Sequence, residues 1–399
     1  WNRTVDMNDR TLRQIVIGLG GTPNGITRES GFDIAAASEV MAILALSEGY
    51  ADLKRRLGEI LVGVTREGGP IWARQLDAPG AMGAVLRDAL KPNLVQTIEG
   101  VPCLMHTGPF ANVAHGNSSI VADRMALKLA EYVVTESGFG SDTGAEKFVD
   151  IKCRASKLRP WAAVLVATVR ALKMHGGGFA RVTDREKVER ENVEAVTRGC
   201  ENLEKHIENI RMFGLPVVVA INRFPSDTPA EIEAIRERAL KAGARDAVAH
   251  EGVLKGGDGV VELARAVVAA CEKPADVKFL YALEAPIEEK IRLVAQQVYG
   301  AGEVDLSPKV RKRIDFFNKC GLAGLPICVA KTPASLSHDP KLRNRPKGFK
   351  FPVTDIRAAA GAGFIYPMAG DIMTMPGLPA TPAATHVDVD GEGRITGLS

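Results

Sequence analysis

The chain has 399 residues, 46% of them apolar and 25% charged, with 51 basic against 48 acidic side chains and a net charge of +3. That near balance gives no argument for binding nucleic acid or an anionic membrane surface. No apolar run approaches the roughly 18 residues of a membrane span, and no leader pattern is visible at Trp1.

A length of this order predicts two or three domains, at about 100–200 residues each. Strand-like apolar runs fall at 15–18, 60–64, 103–106, 132–136, 163–169, 217–222 and 327–331, with helical patterns between most of them. Such alternation predicts an α/β fold with a largely parallel sheet. One helix is especially clear: Val193, Val196, Cys200, Leu203, Ile207 and Ile210 recur at steps of three and four, while Glu201, Glu204, Lys205 and Glu208 take the other face. Gly214 stops it and Pro216 prevents it resuming. After the strand at 217–222, Thr228 can cap a new helix, Pro229 suits its first turn, and Glu231 completes a capping box. A further helix follows the glycine turn at 256–259, with Val260, Leu263, Ala264, Val267 and Cys271 on one side. The stripe Ile287, Ile291, Val294, Val298 predicts a helix over 286–299. From 333 to 350, Pro, Gly and Ser predict a long surface loop, and 385–389 reads as a short strand.

Six scattered cysteines without a CxxC pair argue against a zinc site or a disulfide framework. Free thiols in a reducing, cytoplasmic compartment are expected.

Several segments carry chemistry. At VATVRALKMHGGG (166–178) an apolar run gives way to Arg170, Lys173, His175 and three glycines. This is either a buried strand leading into a loop that approaches an anion, or a strand end followed by a flexible turn. His106 and His115 flank a loop containing Pro109, Phe110 and Asn112. Asn117 or Ser118 could cap the helix that follows, whose inner face is Ile120, Val121, Met125 and Leu129. A loop facing a helix N-terminus is a suitable anion site, although a lone histidine is more often a satisfied structural residue. Asp123, Glu136, Asp142 and Glu146 surround the 136–144 loop and either support a cation or form solvated surface. The phosphate loop G-x-x-x-x-G-K-[ST] is absent, and GLGGTP (18–23) fails the dinucleotide fingerprint because Pro23 stands where the last glycine belongs.

Longer strings run from end to end: VATVRALKMHGGG, PFANVAHGNSS (109–119), KPNLVQT (91–97), EKF (146–148), NLEKHIEN (202–209) and MTMPGLP (373–379). Together they resemble formate–tetrahydrofolate ligases. The resemblance implies a sheet of P-loop NTPase-like type with helices on both faces, plus smaller α/β domains. It divides the chain into the remainder of a nucleotide-binding domain (1–200), a folate-facing α/β module (201–285) and a C-terminal domain (286–399), with the active site in the cleft between them.

It also implies a reaction in two stages. ATP phosphorylates formate to formyl phosphate, and the N10 amine of tetrahydrofolate attacks the formyl carbon. Mg²⁺ would bridge the nucleotide phosphates, cations and N–H groups would neutralise the transferred phosphoryl, and the rest of the benefit is positional. The small-molecule partners are formate, ATP and tetrahydrofolate, with no nucleic acid or membrane, and a homo-oligomer is expected. Relatives of this kind carry an N-terminal segment with the phosphate loop, so the chain reads as a fragment that begins after it and does not turn over alone. Arg170, Lys173 and His175 are then catalytic candidates facing the formyl or phosphate groups. Their alternative is that Arg170 and Lys173 form salt bridges while His175 caps a turn. Pro109, Phe110, Asn112, His106 and His115 become substrate-binding candidates. Phe224, just beyond Asn222, inherits a stacking role against the pterin, or is a core residue. Val253 occupies the position where the family commonly sets a Trp opposite this Phe, which puts the aromatic sandwich in doubt and predicts weaker folate affinity. Two other functions stay open: a non-catalytic folate- or nucleotide-binding fragment, and an oligomer scaffold.

Overall fold

Residues 1–180, 183–370 and 372–398 are described by the computed structural model. Contacts divide the chain into two units, Trp1–Ser38 with Met373–Ser399, and Glu39–Ile372.

Short strand pairs build the smaller unit. Arg3–Val5 runs parallel to Phe32–Ile34, and Ile15–Ile17 runs antiparallel to Arg28–Ser30. The C-terminal segment is tied in by Arg13 Nε donating to the Met375 carbonyl at 2.8 Å and by Thr374 Oγ1 donating to Asp33 at 2.6 Å. The strand expected over 385–389 shrinks to Asp388–Val389, which pairs with Ile395–Thr396.

In the larger unit, helices α1 (Glu39–Leu46) and α2 (Tyr50–Gly58) precede two hairpins. Strand β1 (Leu61–Val64) pairs antiparallel with β2 (Pro70–Trp72), and β3 (Asn93–Gln96) pairs antiparallel with β4 (Pro102–Met105). The expectation of one mostly parallel sheet fails here for a simple reason. Parallel neighbours need a crossover of a dozen or more residues, and these strands are joined by tight turns. Helix α3 (Ile120–Leu129) is capped by Ser119, whose Oγ accepts from Ala122 N at 2.9 Å, not by Asn117 or Ser118. The segment 132–136 is not a strand; Tyr132 and Val134 are exposed, so no buried face sets a pleat. Two π-helical stretches follow, Gly140–Ala145 and Phe148–Cys153.

Then come β5 (Ala163–Ala167), α4 (Val169–His175), α5 (Val193–Met212), β6 (Val217–Asn222), α6 (Pro229–Lys241), β7 (Asp246–His250), α7 (Gly252–Lys255) and α8 (Val261–Ala270). Strands β7, β6 and β5 form a parallel sheet in that order. Central β6 is buried on both faces through Ile221, as an interior parallel strand must be. The boundary expected near residue 200 falls inside α5, and this sheet joins strands from both sides of it. Helices α4 and α5 cross in close contact. A Cβ on Gly176 would meet the Ala195 carbonyl oxygen at 1.8 Å, and one on Gly199 would meet that of Leu172 at 1.8 Å. The HGGG run therefore begins as a helix-packing device, where only glycine lets the backbones approach.

Helix α9 (Ile287–Leu293) continues as a π-helical turn over Val294–Val298. Strand β8 (Glu303–Leu306), helix α10 (Pro308–Lys319) and strands β9 (Lys350–Val353), β10 (Asp355–Ala359) and β11 (Phe364–Met368) complete the unit. The pair β8–β9 is parallel and β10–β11 antiparallel. The run 327–331 joins β11 through isolated parallel bridges at Ile327 and Ala330, with Cys328 N donating to the Ile365 carbonyl and Ala330 N to that of Pro367, both at 2.8 Å. The loop expected at the surface over 333–350 is partly interior. Ser335, Leu336 and Ser337 are buried, and Lys331 Nζ holds the Ser335 carbonyl at 2.6 Å. No described helix is long and apolar enough to cross a membrane.

Candidate functional site

The C-terminal ends of β5, β6 and β7 align at one edge of the parallel sheet. Ile221 pairs with Ala167, and Asn222 with His250. Open α/β sheets bind ligands at this edge. Past β5, Thr168 caps α4 by accepting from Ala171 N at 3.2 Å. The cap places Arg170 in the first turn, where its guanidinium lies 3.5 Å from the centroid of the Phe224 ring. Phe224 follows β6 by two residues. Its N–H donates to Asp227 Oδ2 at 2.8 Å, and Asp227 N donates back to its carbonyl at 3.0 Å, which fixes the turn. Beyond β7, Glu251 pairs with Arg223 at 3.2 Å and with Lys255. Val253 on α7 is 81% exposed.

The other candidates in α4 have different surroundings. Lys173 is buried, and its three donors are all used: Glu231 Oε1 at 2.8 Å, Arg190 O at 2.9 Å and Val188 O at 3.0 Å. His175 Nδ1 accepts from the backbone N–H of Asn344 at 2.9 Å, and burial pulls its pKa down to about 4. An imidazole so placed is neutral at physiological pH and anchors the 344 turn, where Asn344 has a φ of 64°.

His106 and His115 belong to a second cluster, around the start of α3. His106 Nδ1 shares a 2.6 Å hydrogen bond with Ser119 Oγ, and Nε2 donates to the Ala89 carbonyl at 2.8 Å, so both ring nitrogens are engaged. His115 is fully buried and accepts from Asn117 N at 3.3 Å through Nδ1. Burial first, and the Lys152 charge second, bring its pKa to about 3. Between the two histidines, Pro109 is buried while Phe110 and Asn112 are half-buried, and the buried Lys147 donates to the Ala111 carbonyl. A cavity of about 360 Å³ borders this loop, lined in part by Lys91, Asn93, His106 and Thr107. Thr107 sits at φ 57°, an uncommon and strained conformation for a β-branched residue. A larger groove of about 690 Å³, lined by Lys54, Arg55, Glu59 and Arg74 among others, contains none of the candidates. No hydrogen bond, ion pair or ring contact among the described residues joins His106 or His115 to Arg170 or Phe224.

The acidic residues do not assemble a cation site. Asp123 faces Lys152 at 2.6 Å, Asp142 faces Lys331 at 2.6 Å, Glu136 is exposed and Glu146 is buried. Burial pushes Asp142 up, but the Lys331 ammonium, His206 and a backbone hydrogen bond together outweigh it and hold the carboxyl below its ordinary value. No three His, Cys, Asp or Glu among the described residues gather to hold a metal. The donor set does not fit a protein-held Mg²⁺, and no step below passes through one.

Comparison with known proteins decides the kinship. A family model described as formate–tetrahydrofolate ligase matches residues 1–399. The chain belongs to the formate–tetrahydrofolate ligase family. It is 55% identical over 401 residues to the formate–tetrahydrofolate ligase of Desulforamulus reducens, covering 100% of this chain and 71% of that protein. A Roseiflexus formate–tetrahydrofolate ligase is 54% identical over 402 residues, with the same coverage of 100% and 71%. The cytoplasmic C-1-tetrahydrofolate synthase of Schizosaccharomyces pombe is 51% identical over 415 residues, covering 100% of this chain and 44% of that protein.

Within this ligase-family chain, sequence reasoning missed two things. The link from Lys173 to Glu231 was hidden because Glu231 already had a local role as a capping-box residue. Glu99, at the β3–β4 turn, accepts from Gly257 N in the glycine turn after α7. A contact between residues 158 apart in sequence has no local signature.

Proposed function

We infer that the chain ligates formate to tetrahydrofolate at the expense of ATP, giving 10-formyltetrahydrofolate for one-carbon metabolism. In the second stage the N10 amine attacks the formyl carbon of formyl phosphate. A C–N bond forms, the C–O bond to phosphate breaks, phosphate departs with the electron pair, and the amine proton is lost. The observation that carries the site assignment is the contact of Arg170 with Phe224 at the sheet's ligand edge. Phe224 offers a flat face to a pterin. Arg170 stacks by its face, which leaves its N–H donors at the edge of the guanidinium plane, suited to a phosphate or formyl oxygen. No hydrogen bond or ion pair occupies those donors among the described residues. Asn222, Val253 and the loop carrying Pro109, Phe110 and Asn112 complete the proposed lining, with His106 and His115 shaping that loop. Lys173 and His175 act from behind it.

Mg²⁺ enters this reading only as the nucleotide's counter-ion. A P-loop NTPase-like arrangement of the sheet, a homo-oligomer and a cytoplasmic setting belong to it too. The last is supported by six cysteines that are all free. A folate- or nucleotide-binding role without turnover is the second reading. Calorimetry with tetrahydrofolate, followed by an assay for 10-formyltetrahydrofolate from formate, ATP and tetrahydrofolate, tests both. Saturable binding with product formation supports the ligase. Binding without product supports the second reading, and absence of saturable binding removes the folate assignment.

A further inference from the structure

Helix α4 touches the Phe224 loop twice. Arg170 covers the ring at 3.5 Å. One turn on, Lys173 reaches the loop's far end through Glu231 at 2.8 Å; residues three apart share a helix face. Glu231 divides its oxygens. Oε1 takes Lys173 and the N–H of Asn192 at 2.8 Å, while Oε2 takes the N–H of Thr228 at 3.3 Å. Thr228 directly follows Asp227, whose carboxylate holds the N–H of Phe224 at 2.8 Å. A chain of contacts thus runs from the Lys173 ammonium to the backbone of the residue proposed to face folate.

Stability alone does not account for this pair. Lys173 and Glu231 are 1% and 0% exposed, and a buried ion pair often gives no net stability over apolar residues of similar volume. It does dictate geometry, because breaking either half leaves an uncompensated charge in the interior. The ammonium also binds the Val188 and Arg190 carbonyls, so it joins the start of α6 to the segment before α5.

We propose that Lys173 and Glu231 are positioning residues that orient the Phe224 platform for tetrahydrofolate without touching the ligand. The proposal rests on Phe224 facing folate, and the experiment separates the two claims.

Tetrahydrofolate affinity is measured by calorimetry on the chain and on Lys173→Met, Glu231→Gln, Phe224→Ala and the double variant Lys173→Met/Phe224→Ala. Lys290→Met serves as a comparison. It removes another buried lysine, one that donates to the Leu283, Ala323 and Leu325 carbonyls in a different part of the unit. Lys173→Met and Glu231→Gln are expected to weaken binding about three- to tenfold, the range an aromatic contact spans. In the Phe224→Ala background Lys173→Met should add less than about twofold, because the path it acts through is gone. Lys290→Met should lower the melting temperature and keep the affinity within about twofold of the parent. Glu231→Gln, nearly isosteric, keeps the test alive if Lys173→Met does not fold. The proposal is overturned if Lys173→Met and Glu231→Gln lower the melting temperature as Lys290→Met does while affinity stays unchanged. It is equally overturned if Lys173→Met is fully additive with Phe224→Ala. If Phe224→Ala alone leaves affinity unchanged, the folate role of Phe224 fails and the positioning claim fails with it.

Discussion

The Arg170 guanidinium carbon sits 3.5 Å from the centroid of the Phe224 ring, joining the first turn of one helix to the loop beyond the neighbouring strand. In the proposed site the cation holds one face of the ring and the heterocycle takes the other. Replacing Arg170 should therefore separate chemistry from binding. Arg170→Gln is expected to lower kcat of the ligase by about a hundredfold or more, the usual result of losing a charge-stabilising donor, while KM for tetrahydrofolate rises less than tenfold. Steady-state kinetics checks it; a change confined to KM would place Arg170 with substrate binding alone.

Val253 is 81% exposed on a four-residue helix. Surface substitutions of this sort change stability by about 0.5 kcal/mol or less. Val253→Trp should leave the melting temperature nearly unchanged and tighten tetrahydrofolate binding by about three- to tenfold, the worth of an added aromatic face. An unmoved dissociation constant would show that position 253 does not oppose Phe224.

His175 and His115 should make the protein acid-sensitive. Their pKa values are lowered in the fold to about 4 and about 3, from 6.5, with burial the main cause in both. Between the unfolded and folded values, the unfolded chain binds more protons than the native one. Stability is therefore complete above pH 6.5 and falls as pH drops through about 4. Urea midpoints of His175→Gln measured from pH 7 to pH 4 should fall less steeply than those of the parent. Parallel slopes would remove His175 from the acid response.

Glu146 behaves in the opposite sense. Its carboxyl is fully buried, neither oxygen has a hydrogen-bond partner among the described residues, and burial first, Asp150 second, raise its pKa well above 4.5. The folded state binds the extra proton, so this contribution is present below pH 4.5 and is lost as pH rises toward the raised value. Glu146→Gln carries no such loss and should be more stable than the parent at pH 8 to 9, and nearer to it at pH 5. Denaturant titration at these pH values decides; equal stability at high pH would mean that Glu146 has a partner for its charge.

How much of this was readable locally depends on the range of the interaction. The helix over Val193–Met212, the strand Val217–Asn222 and the Thr228–Glu231 capping box were legible because period, stop residues and cap chemistry all act within a few residues. The hairpins β1–β2 and β3–β4 were not, since a four-residue apolar run does not reveal its partner's direction. The burial of Ser335 and Ser337 was equally invisible, because polar residues predict exposure unless an interior lysine such as Lys331 comes to meet them.

The site divides along the same line. Kinship follows from long strings of residues, which carry ancestry regardless of geometry, and the folate role proposed for Phe224 rests on that kinship. The sequence reading carries the strand on to 169 and into a loop, whereas Thr168 caps a helix that begins directly after β5. Only the tertiary structure decided that Lys173 turns inward to Glu231 while Arg170, one turn earlier, turns to an aromatic ring. Two cations three residues apart look alike in a sequence, and what tells them apart is which distant segments have packed against each one.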